Sequence, residues 1–159
     1  MILVLIHREH VVTTKPTSNL KNDLKGASFT YAFKRINESL KNGYHLEAVT
    51  LAESIISDRL LSFVKHNGGK GNVKTPFHNL IQTAKKLNKT SIHTKHGVNL
   101  FDAIDEWRIT RNGCIHSVSK SEPGQPTVSV EVFRLNAEQC AKEGKVLARL
   151  ICDWGKKNR

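Results

Sequence analysis

Arg111, Asn112 and His116 are the residues whose types and spacing suit a chemical step. An RNA strand is cut without a metal when three groups act together. A base removes the ribose 2′-hydroxyl proton, a cation neutralises the phosphorane oxygens, and an acid protonates the leaving 5′-oxygen. Histidine titrates near neutrality and suits both proton steps. Arginine stays charged and donates bidentately to phosphate. Asn112, one turn before His116, is placed to orient either the imidazole or the phosphate.

These residues sit in a stretch, residues 99–118, that predicts a helix. Asn99 is an N-cap residue type, Asp102 falls in the first turn, and no proline follows until Pro123. Leu100, Ile104, Trp107, Cys114, Ile115 and Val118 gather on one side at helical spacing. Asp105, Asn112 and His116 fall within roughly 40° of one another on a polar strip, with Arg108 at its edge. Arg111 breaks the pattern. It falls near the middle of the apolar side, where a charge is costly unless paired or held against an anion.

The run Arg111-Asn112-Gly113-Cys114-Ile115-His116 resembles the Arg–polar–x–x–x–His motif of the HEPN superfamily, small all-helical proteins of prokaryotic toxins and RNA-cleaving systems. As in that family, the motif lies towards the end of a late helix. The resemblance extends over the helical plan of residues 28–155, and its specific part is six residues. It implies a homodimer with a composite, metal-independent endoribonuclease site, in which Arg111, Asn112 and His116 take the motif positions and no cofactor is needed. It also implies a toxin or defence role with a cognate antitoxin or nucleotidyltransferase as partner. Some members carry a tyrosine two residues after the histidine, where that transferase modifies them; here the position is Val118. A homodimer suits the residues as well. One histidine does not readily act as base and acid in one step, and a five-residue offset sets Arg111 and His116 roughly 140° apart on a helix.

The residues admit plainer readings too. Arg111 reads equally as a buried structural arginine satisfied by a carboxylate such as Glu53, and His116 as a helix C-terminal residue favoured by the dipole. The corresponding functions are a non-catalytic RNA- or nucleotide-binding module of HEPN type and a protein-interaction module.

The charge balance points towards a polyanion. Lys and Arg number 25 against 14 Asp and Glu, a net +11. From Arg59 to Phe101 there is no acid, and Arg59 is followed by seven lysines there. Lys70, Lys74, Lys85, Lys86, Lys89 and Lys95 of this block, with Arg108, are the expected RNA contacts. Its aromatic residues Phe63, Phe77 and Phe101 fall on apolar faces, so no base-stacking platform is expected. Cys114, Cys140 and Cys152 form no C-x-x-C pair and fit free thiols in a reducing cytoplasm. The apolar start, residues 1–6, is too short to span a membrane and lacks the features of a signal peptide. Neither His7/His10 nor His93/His96 has the spacing or neighbours of a metal site.

With 159 residues, one domain is expected over residues 1–159. Helices are predicted over residues 28–42, 44–65, from Thr75-Pro76 (N-cap and first-turn proline) to Leu87, over 99–118 and over 137–154. The second has the widest apolar face and should be the central helix. Residues 66–74 and 88–98 read as loops. The alternating residues 127–133 read as a strand paired with residues 2–6, and Asn136 with Gln139 as a capping box for the last helix. The expected fold is all-α: an HEPN-like bundle of about five helices with a small two-stranded β appendage.

Overall fold

The computed structural model describes residues 18–90, 92–116, 123 and 128–157. They form five helices: α1 (Ser18–Asn42), α2 (His45–His66), α3 (Phe77–Leu87), α4 (Leu100–His116) and α5 (Val130–Lys157). α2 touches each of the other four, and α5 adds contacts to α1 and α4. The central position follows from its sequence. Ala48, Val49, Ala52, Ile55, Ile56, Leu60 and Val64 are buried along its length, which only a helix enclosed on most sides permits.

Short connections set the packing. Gly43 (φ +79°) takes the left-handed conformation that ends α1. Tyr44 N–H closes on the Ser39 carbonyl at 2.8 Å, so α2 turns back along α1. Before α4 the chain makes a narrow loop, with Thr94 N–H to Val98 O at 2.7 Å and Leu100 N–H to Ile92 O at 2.8 Å. Asn99 then caps α4: its Oδ1 accepts from Phe101 N–H at 2.9 Å.

Aromatic side chains fix the bundle's inner angles. Phe101 of α4 meets Trp154 of α5 edge-on at 5.3 Å, and Phe63 of α2 lies 4.6 Å from the same indole. Trp107, 2% exposed, donates its indole N–H to the Cys140 carbonyl of α5 at 2.8 Å. α5 can come this close because it has glycine there. A Cβ on Gly144 would stand 2.5 Å from the Trp107 ring.

Four expectations need correction. The β appendage is not supported: among the described residues there are five helices and no strand. Val130 to Phe133 belong to α5, and residues 2–6 lie outside the described residues. Ser129 explains the change, since its Oγ accepts from Val132 N–H at 3.3 Å and caps the helix. A helix satisfies its backbone internally, whereas a strand there has no neighbour among the described residues. The capping box at Asn136 and Gln139 therefore falls inside α5, where Gln139 donates to Glu143 at 2.7 Å. α1 begins at Ser18 rather than at residue 28; on this early part Lys25 reaches Asp58 of α2 at 2.8 Å. Pro76, not Thr75, holds the N-cap position of α3, and the Thr75 hydroxyl instead accepts from Asn72 N–H at 2.9 Å.

Candidate functional site

α4 carries the motif residues to the place where α2, α3 and α4 meet. Arg111 points inward, as its position on the apolar side requires, and its Nη2 pairs with the Glu53 carboxylate of α2. Nη1 donates to Asn112 Oδ1 at 2.6 Å. The guanidinium lies over the Phe77 ring of α3, 5.8 Å from its centroid, and that ring stands edge-on to Trp107 at 6.4 Å. Nε is buried without a hydrogen-bond partner. Burial lowers the Arg111 pKa from its ordinary value, yet an arginine so shifted remains a cation at neutral pH. The site thus contains a fixed, half-buried positive charge on an aromatic floor.

Asn112 serves the arginine and not the imidazole. His116 stands in the last turn of α4 and is exposed. Arg111 and His116 share a helix but face different surroundings, as their five-residue offset dictates. Cys114 lies between them and is buried, its thiol donating to the Asn136 carbonyl of α5 at 3.5 Å. Burial raises its pKa, and burial together with the Cys114 neighbour pushes the Cys140 thiol up to about 12. Both thiols are protonated at neutral pH and act as packing groups.

A second polar cluster joins α3 to α4 around Asp105. Its carboxylate accepts from Gln82 Nε2 at 2.9 Å, Lys85 Nζ at 3.2 Å and Arg108 Nε at 2.9 Å. His78 Nδ1 stands 3.7 Å away. Burial alone would raise the Asp105 carboxyl; the bonds and charges of Arg108 and Lys85 outweigh it and hold the pKa below the ordinary value. Lys85 also pairs with Asp102 at 2.9 Å.

Two of the seven expected RNA contacts are therefore already engaged: Lys85 and Arg108 hold carboxylates across or along α4. Lys70, Lys74, Lys86, Lys89 and Lys95 are exposed. Glu53 was legible as the arginine's partner, being a carboxylate on the central helix. His78 was not, because nothing in the spacing of α3 marks it. Among the described residues no group of three or more His, Cys, Asp or Glu side chains is placed to hold a metal ion, and no helix is long and apolar enough to cross a membrane.

A scan against protein-family models, a search of curated proteins and a search of solved structures each returned no match.

Proposed function

We propose that this protein is a metal-independent endoribonuclease of HEPN type, with Arg111 neutralising the scissile phosphate and His116 moving a proton. The observation that carries this reading is the preparation of Arg111. Glu53, Asn112 and Phe77 fix a cation that stands against the apolar pattern of its own helix, five residues before an exposed histidine. A guanidinium held in one orientation serves a developing phosphorane better than a mobile one, because no reorganisation is needed during the reaction. Asn112 is then a positioning residue for Arg111. The exposed lysines of the acid-free block would hold the RNA backbone.

The proposed assembly is a homodimer through α4, with copies of Arg111 and His116 facing one cleft. Ile109, 62% exposed on α4, would be covered in that packing. Three cysteines without a C-x-x-C pair suit a reducing cytoplasm, and a toxin or defence role with an antitoxin partner belongs to the same proposal.

One observation favours a second reading. The Glu53 carboxylate already neutralises Arg111, which is what a purely structural arginine requires. The chain would then be a non-catalytic RNA-binding module. Incubation of structured RNA with the protein in EDTA separates the two. Cleavage leaving a 2′,3′-cyclic phosphate and a 5′-hydroxyl, reduced about 10²-fold by His116→Ala, supports the nuclease. Tight binding with intact RNA supports the module, and cleavage that requires Mg²⁺ rejects the proposed chemistry.

A further inference from the structure

His78 is the second residue of α3, its side chain is 51% exposed, and its Nδ1 lies 3.7 Å from Asp105 Oδ1 on α4. Gln82, Lys85 and Arg108 bind the same carboxylate and fix its position. Asp105 is therefore a stationary partner for the imidazole, and such pairs often tighten only when substrate arrives. The residue before His78 is Phe77, whose ring forms the floor beneath Arg111. The first turn of α3 thus brings an exposed histidine, backed by a carboxylate, to the neighbourhood of the buried cation.

The placement along α4 matters as well. Asp105 precedes Arg111 by six residues, about 9 Å of helix rise, and His116 follows it by five, about 7.5 Å. Displacement at phosphorus is in-line, so base and acid must approach from opposite sides with the neutralising cation between them. His116 of the same chain faces other surroundings than Arg111, so the base is His116 of the partner subunit in the proposed homodimer.

We propose that His78 is the general acid of RNA cleavage, oriented by Asp105 and working opposite His116 across a phosphate held at Arg111. This rests on the nuclease reading and deepens it. His116 takes the 2′-hydroxyl proton as the O2′–P bond forms, and protonated His78 gives its proton to O5′ as the P–O5′ bond breaks. The products are the 2′,3′-cyclic phosphate and the 5′-hydroxyl, and exchange with water resets both imidazoles. The leaving-group proton then comes from the same chain as Arg111, and the proposed dimer brings the base, His116 of the partner subunit, to the other side of the phosphate.

The test compares His78→Gln and His116→Gln on two substrates, ordinary RNA and RNA with a single bridging 5′-sulfur at the cut site. A thiolate leaves without protonation, so loss of the acid is masked on the sulfur substrate and loss of the base is not. The expected result is a fall of about 10²-fold for His78→Gln on ordinary RNA, nearly abolished on the sulfur substrate. His116→Gln should be impaired on both. Circular dichroism should show both variants folded, since both side chains are exposed. Full activity of His78→Gln on ordinary RNA overturns the proposal, as does an equal loss on both substrates. Suppression seen with His116→Gln instead assigns the acid to that histidine. Absence of cleavage by the unmodified protein on either substrate rejects the nuclease reading and the assignment of His78 with it.

Discussion

Arg111 of α4 and Glu53 of α2 form an ion pair beneath the surface of the bundle, each with less than a quarter of its side chain exposed. The pair joins the central helix to the motif helix at the level of the candidate site. Its energetic role and the chemical role proposed for Arg111 are separable because only the second depends on RNA.

Breaking the pair from one side should destabilise the fold. Arg111→Met leaves the Glu53 carboxylate half-buried without its cation, a change on the order of 3 kcal/mol. Adding Glu53→Gln should recover a large part of that loss. Urea denaturation of the two single variants and the double variant measures the coupling directly. A double variant as unstable as the sum of the singles would show that the pair contributes nothing as a pair.

Asp105 predicts a pH signature. Its folded-state pKa lies below the ordinary value, about 3.9 in an unfolded chain. Its stabilising contribution is therefore complete above that value and is lost as pH falls through the lowered one. Asp105→Asn should cost about 1–3 kcal/mol at neutral pH, because Lys85 and Arg108 lose a charged acceptor. The difference from the unmodified protein should shrink in acid. Denaturation curves at several pH values check this, and a difference that grows as pH falls contradicts it.

Gly144 is set by the indole that faces it. An added methyl would sit 2.5 Å from the Trp107 ring, which is itself tied to the Cys140 carbonyl. Gly144→Ala should therefore destabilise by about 1–3 kcal/mol, although alanine is the better helix former. The midpoint of thermal unfolding decides the sign; a rise would mean that α4 and α5 can separate without loss.

The lysines of the acid-free block should not behave alike in RNA binding. Lys86 and Lys89 are exposed, whereas Lys85 is held by Asp102 and Asp105. Lys86→Gln and Lys89→Gln should each flatten the log–log salt dependence of RNA affinity by about 0.7–0.9. Lys85→Gln should lower stability and leave that slope nearly unchanged. Filter binding over a salt series reads the slopes, and a Lys85→Gln slope equal to the other two would show that RNA displaces the carboxylates.

The sequence was most legible where one periodicity prevailed. α2 and α4 carry long apolar stripes at helical spacing, and Asn99 is an unambiguous cap, so α2 falls within a residue of its expected bounds and α4 starts within a residue of its own. Residues 117 and 118 of the expected helix lie outside the described residues. The first ten residues of α1 offer only Leu20, Leu24 and Ala27 at helical spacing, and Leu24 stays 60% exposed; Lys25 ties this stretch to Asp58, on a helix more than thirty residues away. At the start of α5, Val128, Val130 and Val132 alternate like a strand, but the Ser129 cap and the internal satisfaction of the backbone favour a helix. Within the site, Arg111 announced a buried partner because its position contradicted its helix. The approach of His78 to Asp105 depends on how α3 lies against α4, and neither helix encodes that on its own.

The contact of α2 with all four other helices bears on how the molecule opens. α1 or α3 can separate from the bundle while the rest of α2 keeps its neighbours, but α2 cannot be released unless every layer parts at once. Amide protons between Ala48 and Leu60 should therefore exchange with deuterium only through global unfolding, while those of α3 escape through smaller, cheaper openings. His78 rides on α3, so the proposed acid sits on one of the least cooperative parts of the fold, while the Arg111 cation is paired to Glu53 on the most cooperative.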